Sequence, residues 1–317
     1  MSKPASLAPS GEVSPGLAPT KCVPLARQIA DHVVKVRYED LPEVTVRAAK
    51  RCILDTWAVA WAGAASPGCP QVAALTKQFA GYGLSRVWSD GSTVTPAAAA
   101  IINGMHAAAL DYDSLHEVGV VHSNIVVLPA AIAMAEHMGC SGRELLTAFI
   151  VGDDLVCRLG KSLRGTSGWF NSSICGVFGA AAASARILGL STDGVASAFG
   201  VALSHVSGTQ QPALERSFTK RMQSAFASQA GLDSALLASC DISAPREPFE
   251  GRFGLFSRYE EGSAESVLDG LGLTYAIGEM TYKKFPSCAC NHAAIEATLQ
   301  LVKENAFEAG DVVAVDV

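Results

Sequence analysis

Residues 168–185 read GWFNSSICGVFGAAAASA, part of a long uncharged run that ends only at Arg186. As a helix these 18 residues reach about 27 Å, close to the roughly 30 Å hydrocarbon core of a bilayer. The fold turns on whether this run crosses a membrane or lies in a protein core. It carries Asn171, three serines and many small residues. Spanning helices normally hold roughly 20 strongly apolar residues, which this run does not supply. Alanine loses little side-chain entropy in a helix, and small residues let neighbouring helices approach closely. The run therefore reads as the buried central helix of a helical protein, and no membrane partner is expected.

The helical period continues outward. Apolar residues recur every three or four positions in PLARQIADHVVKV (24–36), TVRAAKRCILDTWAVAWAGA (45–64) and CPQVAALTKQFAGY (69–82). SRVWSDGSTVTP (85–96) is a turn-rich connector in which Ser92 or Thr95 is placed to cap the next helix. Further helices are predicted over 95–109, 125–138, 142–162, 172–188, 192–206, 220–240 and 263–272, with glycine-containing joints between them. No stretch before residue 270 keeps a period-two alternation. Residues 22–273 are thus predicted to form one large all-helical domain. The pattern then changes. LTYAIGEMTYKKFP (273–286) reads as a strand or extended segment, NHAAIEATLQLVKENAF (291–307) as an amphipathic helix, and DVVAVDV (311–317) as a strand. Residues 274–317 therefore read as the opening of a small α/β unit, too small to bury both faces of a sheet by itself. The fold class is mainly α.

Composition excludes several function classes. The chain of 317 residues is 49% apolar and 17% charged, enough for a sizeable core. A net charge of −6 gives no general attraction to nucleic acid or anionic membranes. An anionic small molecule is still a suitable ligand, because a site needs only local positive charge. The nine cysteines are scattered and odd in number, which suits a reducing, cytoplasmic compartment better than a disulfide framework. Residues 1–21, rich in Pro, Ser and Gly, read as a disordered tail and not as a signal or transit peptide.

Between two almost purely apolar segments lies ALDYDSLHEVGVVHSN (109–124). Asp111, Asp113, His116, Glu117 and His122 fall inside these sixteen residues, although the chain has only seven histidines. An imidazole, with an ordinary pKa near 6.5, is the side chain best poised for proton transfer near neutrality, and a neighbouring carboxylate orients it. Lys220 in SFTKRMQ and Lys283 in TYKKFP supply cations suited to carboxylate ligands, with Arg221 and Lys284 adjacent. Cys288, Cys290 and His292 in PSCACNH lack the spacing and fourth ligand of a metal site, so no metal is expected. His106 and His205 sit in small-residue helices and read as core histidines.

These motifs carry a resemblance. DYDSLHEVGVVHSN followed by VLPAAIAMAE, the helix GVFGAAAASARILGLS, and the lysine motifs SFTKRMQSAFASQAGLDSALLA and YKKFPSCACNHAAIEA resemble the MmgE/PrpD family in order and spacing. That family includes 2-methylcitrate dehydratases, cis-aconitate decarboxylases and an iminodisuccinate epimerase. The resemblance implies a large helical domain followed by a smaller α/β lid, a homodimer, and chemistry without metal or organic cofactor. Its members are longer, so the chain is expected to stop inside the lid. The resemblance puts His122 and Asp111 in the active site, the imidazole as acid or base and the carboxylate as its orienter, with Lys220 and Lys283 as carboxylate clamps. Asp113, His116, Phe170, Ser172, Arg221, Gln223 and His292 are expected around the substrate.

The sequence also departs from the family pattern. Phe170 stands where a second catalytic histidine is common, Ser172 where threonine is, and Gln223 where many members carry histidine. Ser114 and Leu115 replace Asp and Thr, and Ser123 and Asn124 follow His122 where proline is frequent. A phenylalanine cannot move a proton, and that change speaks against the decarboxylase form. The expected function is a cofactor-independent dehydratase acting on a citrate-like or alkylcitrate polycarboxylate. The alternatives are an epimerase, isomerase or decarboxylase on the same scaffold, or a non-catalytic polycarboxylate-binding paralogue.

Overall fold

The computed structural model describes residues 23–165 and 167–316. The expected tail at 1–21 lies outside them. Helices α1 (Leu25–Lys35), α2 (Glu43–Gly63) and α3 (Cys69–Phe79) lead into a two-stranded hairpin, β1 (Ser85–Arg86) and β2 (Thr93–Val94). Then come α4 (Pro96–Ala108), α5 (Asn124–Met138), α6 (Gly142–Ser162), α7 (Asn171–Ile187), α8 (Thr192–Leu203), α9 (Gln211–Leu214) and α10 (Thr219–Ser239). The short α11 (Leu255–Arg258) and α12 (Ala264–Leu268) precede α13 (His292–Asn305).

The run at 168–185 forms the axis of the molecule. Helix α7 is surrounded by α5, α6, α8 and α10, and nearly all its residues are buried. Its small residues set how near these neighbours come. A Cβ added at Gly179 would stand 2.3 Å from Val156 Cγ2 on α6 and 2.5 Å from the Gly152 carbonyl oxygen. One added at Gly231 of α10 would stand 2.5 Å from Ala180 Cβ. Backbones this close gain dispersion contacts along their length and leave no room for solvent. Among the described residues no helix is long and apolar enough to cross a membrane.

A buried ion pair ties the later segments to this body. Arg158 of α6 is 2.6 Å from Asp154 and donates to the carbonyls of Val267, Gly270 and Thr274, while Asp154 accepts the Ala276 N–H at 2.7 Å. Ala276, Ile277 and Met280 consequently lie in the same core as the helices. The change of structure predicted after residue 273 does not coincide with a change of packing, because the α6 pair needs the 267–276 backbone to satisfy its hydrogen bonds.

The strands predicted after 270 do not form. Residues Ala276–Glu279 make a 3-10 turn, Thr281 joins Leu115 in a single antiparallel bridge, and no strand is found among the described residues of 311–317. A strand needs a partner for its backbone groups, and the described residues of that last stretch pair with none. Helix α13 is present as predicted but buries no residue, leaving Leu299, Leu301 and Val302 exposed. The helices predicted over 192–206 and 263–272 are shorter, and the hairpin at 85–94 was too brief to show alternation. Thr95 takes the N-cap place of α4 without a side-chain hydrogen bond, and Ser92 donates to Asp90 at 2.6 Å instead.

The helix contacts make a direct prediction. Gly179→Val forces atoms onto the α6 backbone and lowers stability by about 1–3 kcal/mol. Gly142→Ala, on an exposed first turn with nothing within 4 Å of the new methyl group, leaves stability within about 0.5 kcal/mol. Urea unfolding midpoints of the two variants check this.

Candidate active site

The loop between α4 and α5 folds back on itself. His116 and Val121 exchange backbone hydrogen bonds, and two non-glycine residues, Asp111 (φ 52) and Val120 (φ 48), take left-handed backbone. Aspartate tolerates that conformation, whereas for a β-branched valine it is strained and persists because the surrounding contacts impose it.

His122 stands at the end of the loop. Its backbone N–H donates to Ser172 Oγ at 2.9 Å, so the central helix α7 holds it in place. Its Nδ1 faces the Ser114 carbonyl at 3.0 Å and Asp113 Oδ2 at 2.7 Å. Two acceptors at one nitrogen place a proton on Nδ1, and among the described residues Nε2 has no hydrogen-bond partner. Asp113 Oδ2 takes no in-line hydrogen bond, so its attraction to the ring is mainly Coulombic. Burial pushes the Asp113 carboxyl up, but the adjacent His122 outweighs this and holds it below the usual range.

Asp111 lies between two ammonium groups. Lys220 Nζ is 3.0 Å from its Oδ2, and Lys283 Nζ is 2.9 Å from its Oδ1 and 2.8 Å from its carbonyl. Burial raises the Asp111 carboxyl, yet Lys220 and Lys283 together bring it down to about 2. Asp111, His122, Lys220, Phe170 and Arg221 share a cavity of about 640 Å³ with Trp169, Gln210, Arg216, Phe218 and Cys288. Its wall thus combines one imidazole with three cationic side chains, against the single carboxylate of Asp111.

Several expected roles change. The orienter of His122 is Asp113, because the left-handed turn at Asp111 gives that carboxylate to the lysines. Lys283 has a side chain only 2% exposed and acts on the site through Asp111. His116 does not face the cavity. It is buried in the loop, its Nδ1 accepting from Gly119 N–H and its Nε2 meeting Glu279 at 3.1 Å. Ser172 reaches the site through the His122 backbone. Gln223 accepts the Thr209 N–H at 2.7 Å and so fixes the strand-like bridge that supports Trp169. His292, at the start of α13, contacts the Phe285 carbonyl at 3.1 Å and its ring edge, away from the wall. Of the two histidines read as core residues, His106 is buried and its pKa falls to about 4 through desolvation, while His205 is exposed.

The sequence reading missed Arg216, Trp169, Gln210, Phe218 and Cys288 as wall residues. For Arg216 a signal existed, since it precedes Lys220 and Arg221 by one turn in a cation-rich stretch. The aromatic residues carried none. Another concavity, of about 440 Å³, holds Arg37 and Arg143, but these pair with Asp40 and Glu39. Among the described residues no group of three His, Cys, Asp or Glu side chains is arranged to hold a metal ion.

The Asp111 cluster predicts a pH-dependent stability. A carboxylate whose folded pKa is depressed contributes stability above its unfolded pKa, and that stability is lost as pH falls through the folded value. Asp111→Asn therefore costs about 1–2 kcal/mol at pH 7, after discounting for the partial exposure of the carboxylate. The difference shrinks as pH drops from about 4 toward 2. Urea unfolding at pH 7 and pH 3 measures it.

Comparison with known proteins identifies the family. Residues 27–267 match the MmgE/PrpD N-terminal domain. The chain is 30% identical over 276 residues to a cis-aconitate decarboxylase of Aspergillus terreus, covering 82% of this chain and 56% of that protein. It is 30% identical over 293 residues to the cis-aconitate decarboxylase-like protein oryM of Aspergillus oryzae, covering 86% and 61%. It is 26% identical over 293 residues to the cis-aconitate decarboxylase of Homo sapiens, covering 88% and 60%. The chain thus spans less than two thirds of the length of these relatives. With the family domain matched across most of the helical body, the chain belongs to the MmgE/PrpD family.

Proposed function

We propose that the protein is a lyase of di- or tricarboxylic acids that works by proton transfer at His122 and cationic stabilisation of developing charge. The observation that carries this reading is an imidazole with Nδ1 engaged and Nε2 free, in a wall that also holds Lys220, Arg216 and Arg221. Each charge-assisted hydrogen bond from these cations to a carboxylate contributes roughly 1.5–3 kcal/mol. When a bond breaks next to a carboxylate, electrons collect on that carboxylate, and preorganised cations lower the barrier. Proton transfer and charge stabilisation both come from side chains, so the reading calls for no cofactor.

Within this class decarboxylation is favoured, in line with the names of the relatives and with the proton count. The bond to the departing carboxylate breaks, CO2 leaves, and the electron pair enters the adjoining unsaturated carboxylate system. One proton then completes the product, and the protonated His122 ring supplies it from Nε2. Dehydration, the reaction expected from the sequence, needs a base for the α-proton and an acid for the leaving hydroxide. Phe170 removes one candidate, which leaves Lys220 at the same wall to serve beside His122. Sequence reasoning took Phe170 as a mark against decarboxylation; the proton count weighs the other way, because one transfer suffices. A homodimer belongs to the proposal and is supported by Leu54, Trp57 and Trp61, exposed along one side of α2. A cytoplasmic location belongs to the proposal too, supported by cysteines that form no disulfide among the described residues.

Incubation of the purified protein with cis-aconitate, citrate and alkylcitrates separates the readings. CO2 release with proton incorporation from solvent marks decarboxylation; water loss without CO2 marks dehydration. His122→Ala is expected to lower turnover by about 10²–10⁴. Lys220→Met is expected to weaken substrate binding by roughly tenfold or more. Equal turnover by wild type and His122→Ala removes the imidazole from the mechanism.

A further inference from the structure

Glu260 carries a buried carboxyl that none of the steps above uses. It stands just after α11, whose first residue Leu255 is fully buried and whose Phe256 packs against Phe249 in the core. Its backbone is therefore fixed to the helical body. Among the described residues no cation pairs with it; the neighbouring Glu261 is the one that reaches Arg164, at 3.9 Å. Glu260 Oε2 instead accepts from the backbone N–H of Ser167 at 3.1 Å and from the Ser167 hydroxyl, which also faces the Tyr259 carbonyl at 3.3 Å. A buried carboxyl costs free energy unless its hydrogen bonds are made, and here one exposed residue makes them.

Ser167 opens the stretch that gives the cavity its aromatic wall. Gly168, Trp169 and Phe170 follow it, and all three line the cavity. On one side the stretch leans on 259–262: Arg164 N–H donates to the Glu261 carbonyl at 2.8 Å, Leu163 bridges Gly262, and the Trp169 ring lies 5.0 Å from the Tyr259 ring. On the other side it carries 208–210: Phe170 N–H donates to the Gly208 carbonyl at 3.0 Å, and Gln210 N–H to the Gly168 carbonyl at 2.8 Å. The segment that follows, exposed along nearly its whole length, brings Arg216 to the wall. Glu260 is thus the buried anchor of a wall that is otherwise mostly exposed.

We propose that Glu260 is a positioning residue for the substrate cavity: by holding Ser167 it sets where Trp169 and Phe170 stand in the wall that also carries Lys220, Arg216 and Arg221. The inference rests on the reading of this cavity as the polycarboxylate site. Glu260 itself touches no substrate. Its part calls for an acceptor and not for a charge, because both donors are neutral groups of Ser167. Aromatic rings in the wall keep water from the cations, and a drier wall strengthens the hold of each cation on a carboxylate. A displaced wall weakens ground-state and transition-state binding alike, which raises KM and leaves kcat nearly unchanged.

The test compares Glu260→Gln, which keeps an oxygen acceptor of the same reach, with Glu260→Leu, which keeps the bulk and removes the acceptor. Gly165→Ala is a second displacing variant, used if Leu does not fold. Its methyl group would stand 1.8 Å from Glu260 Oε1, so it drives the carboxyl off Ser167 without deleting it. Calorimetry with propane-1,2,3-tricarboxylate, a triacid with no hydroxyl or double bond to react, measures binding apart from turnover. Acrylamide quenching of the Trp169 emission, isolated by difference from matching Trp169→Phe proteins, reports on the wall itself. Glu260→Leu and Gly165→Ala are expected to weaken triacid binding and raise KM roughly tenfold, with kcat within about threefold, and to open Trp169 to the quencher. Glu260→Gln is expected to stay within about threefold of wild type in binding and KM. Unchanged triacid binding in a folded displacing variant overturns the proposal, as does a fall in kcat without a change in KM, or a Gln variant as weak as Leu. If wild type binds the triacid but turns over no polycarboxylate, the lyase reading falls, and weaker binding with a more accessible Trp169 in the displacing variants still upholds the positioning role. If wild type binds no triacid, the cavity is not the polycarboxylate site and the proposal falls with that reading.

Discussion

A buried ammonium group must have a counter-charge, and among the described residues Lys283 pairs with Asp111. Leaving such a charge unpaired costs several kcal/mol, so the pairing fixes where the chain can go. It pins the segment that follows the helical body onto the loop between α4 and α5. The backbone bridge between Leu115 and Thr281 extends the same seam. Lys220 approaches Asp111 from α10, on the other side. Three distant parts of the sequence are brought together by one carboxylate, and the cavity is the space that remains beside them.

The helical body makes this arrangement stiff. Because α7 carries alanine, glycine and serine, its neighbours come near enough for backbone contact, and α7 has little freedom to shift. Its first turn presents Ser172 to the backbone of His122. Phe170 and Asn171 beside it line the cavity, and the strained backbone at Val120 is held against relaxation by the surrounding contacts. Asp113, Ser114, His116 and Asn124 are buried between apolar helices, out of reach of bulk water. His116 meets Gly119 and Glu279, and Ser114 meets Asn124, while Asp113 Oδ2 lies 2.7 Å from His122 Nδ1.

The electrostatics of the cavity run against those of the whole chain. The protein is net acidic at −6, yet the wall collects Lys220, Arg216 and Arg221 around one imidazole. Such a wall attracts negative charge. Asp111 keeps part of this positive charge neutral, and Asp113 keeps the imidazole's Nδ1 occupied. The two aspartates, two residues apart, therefore serve different partners: one the lysines, the other the histidine.

How much of this was legible in the sequence follows from the range of the interactions. Helical period and small-residue content are local properties, so the mainly α fold, the central helix predicted over 172–188 and most helix limits could be read directly. The clustering of Asp111, Asp113 and His122 in one loop was equally visible, and so were the lysine motifs. Which aspartate serves the histidine was not, because that depends on a left-handed turn at Asp111 imposed by Lys220 and Lys283, more than 100 residues away. The strands predicted after residue 270 failed for a related reason: alternation states a preference, but a strand forms only where another chain segment offers its hydrogen bonds. The roles of Gln223 and Ser172 were likewise decided by which distant backbone each one meets. Local chemistry fixed which residues could act; only the packing of the chain, through burial and the pairing of buried charge, decided which of them meet.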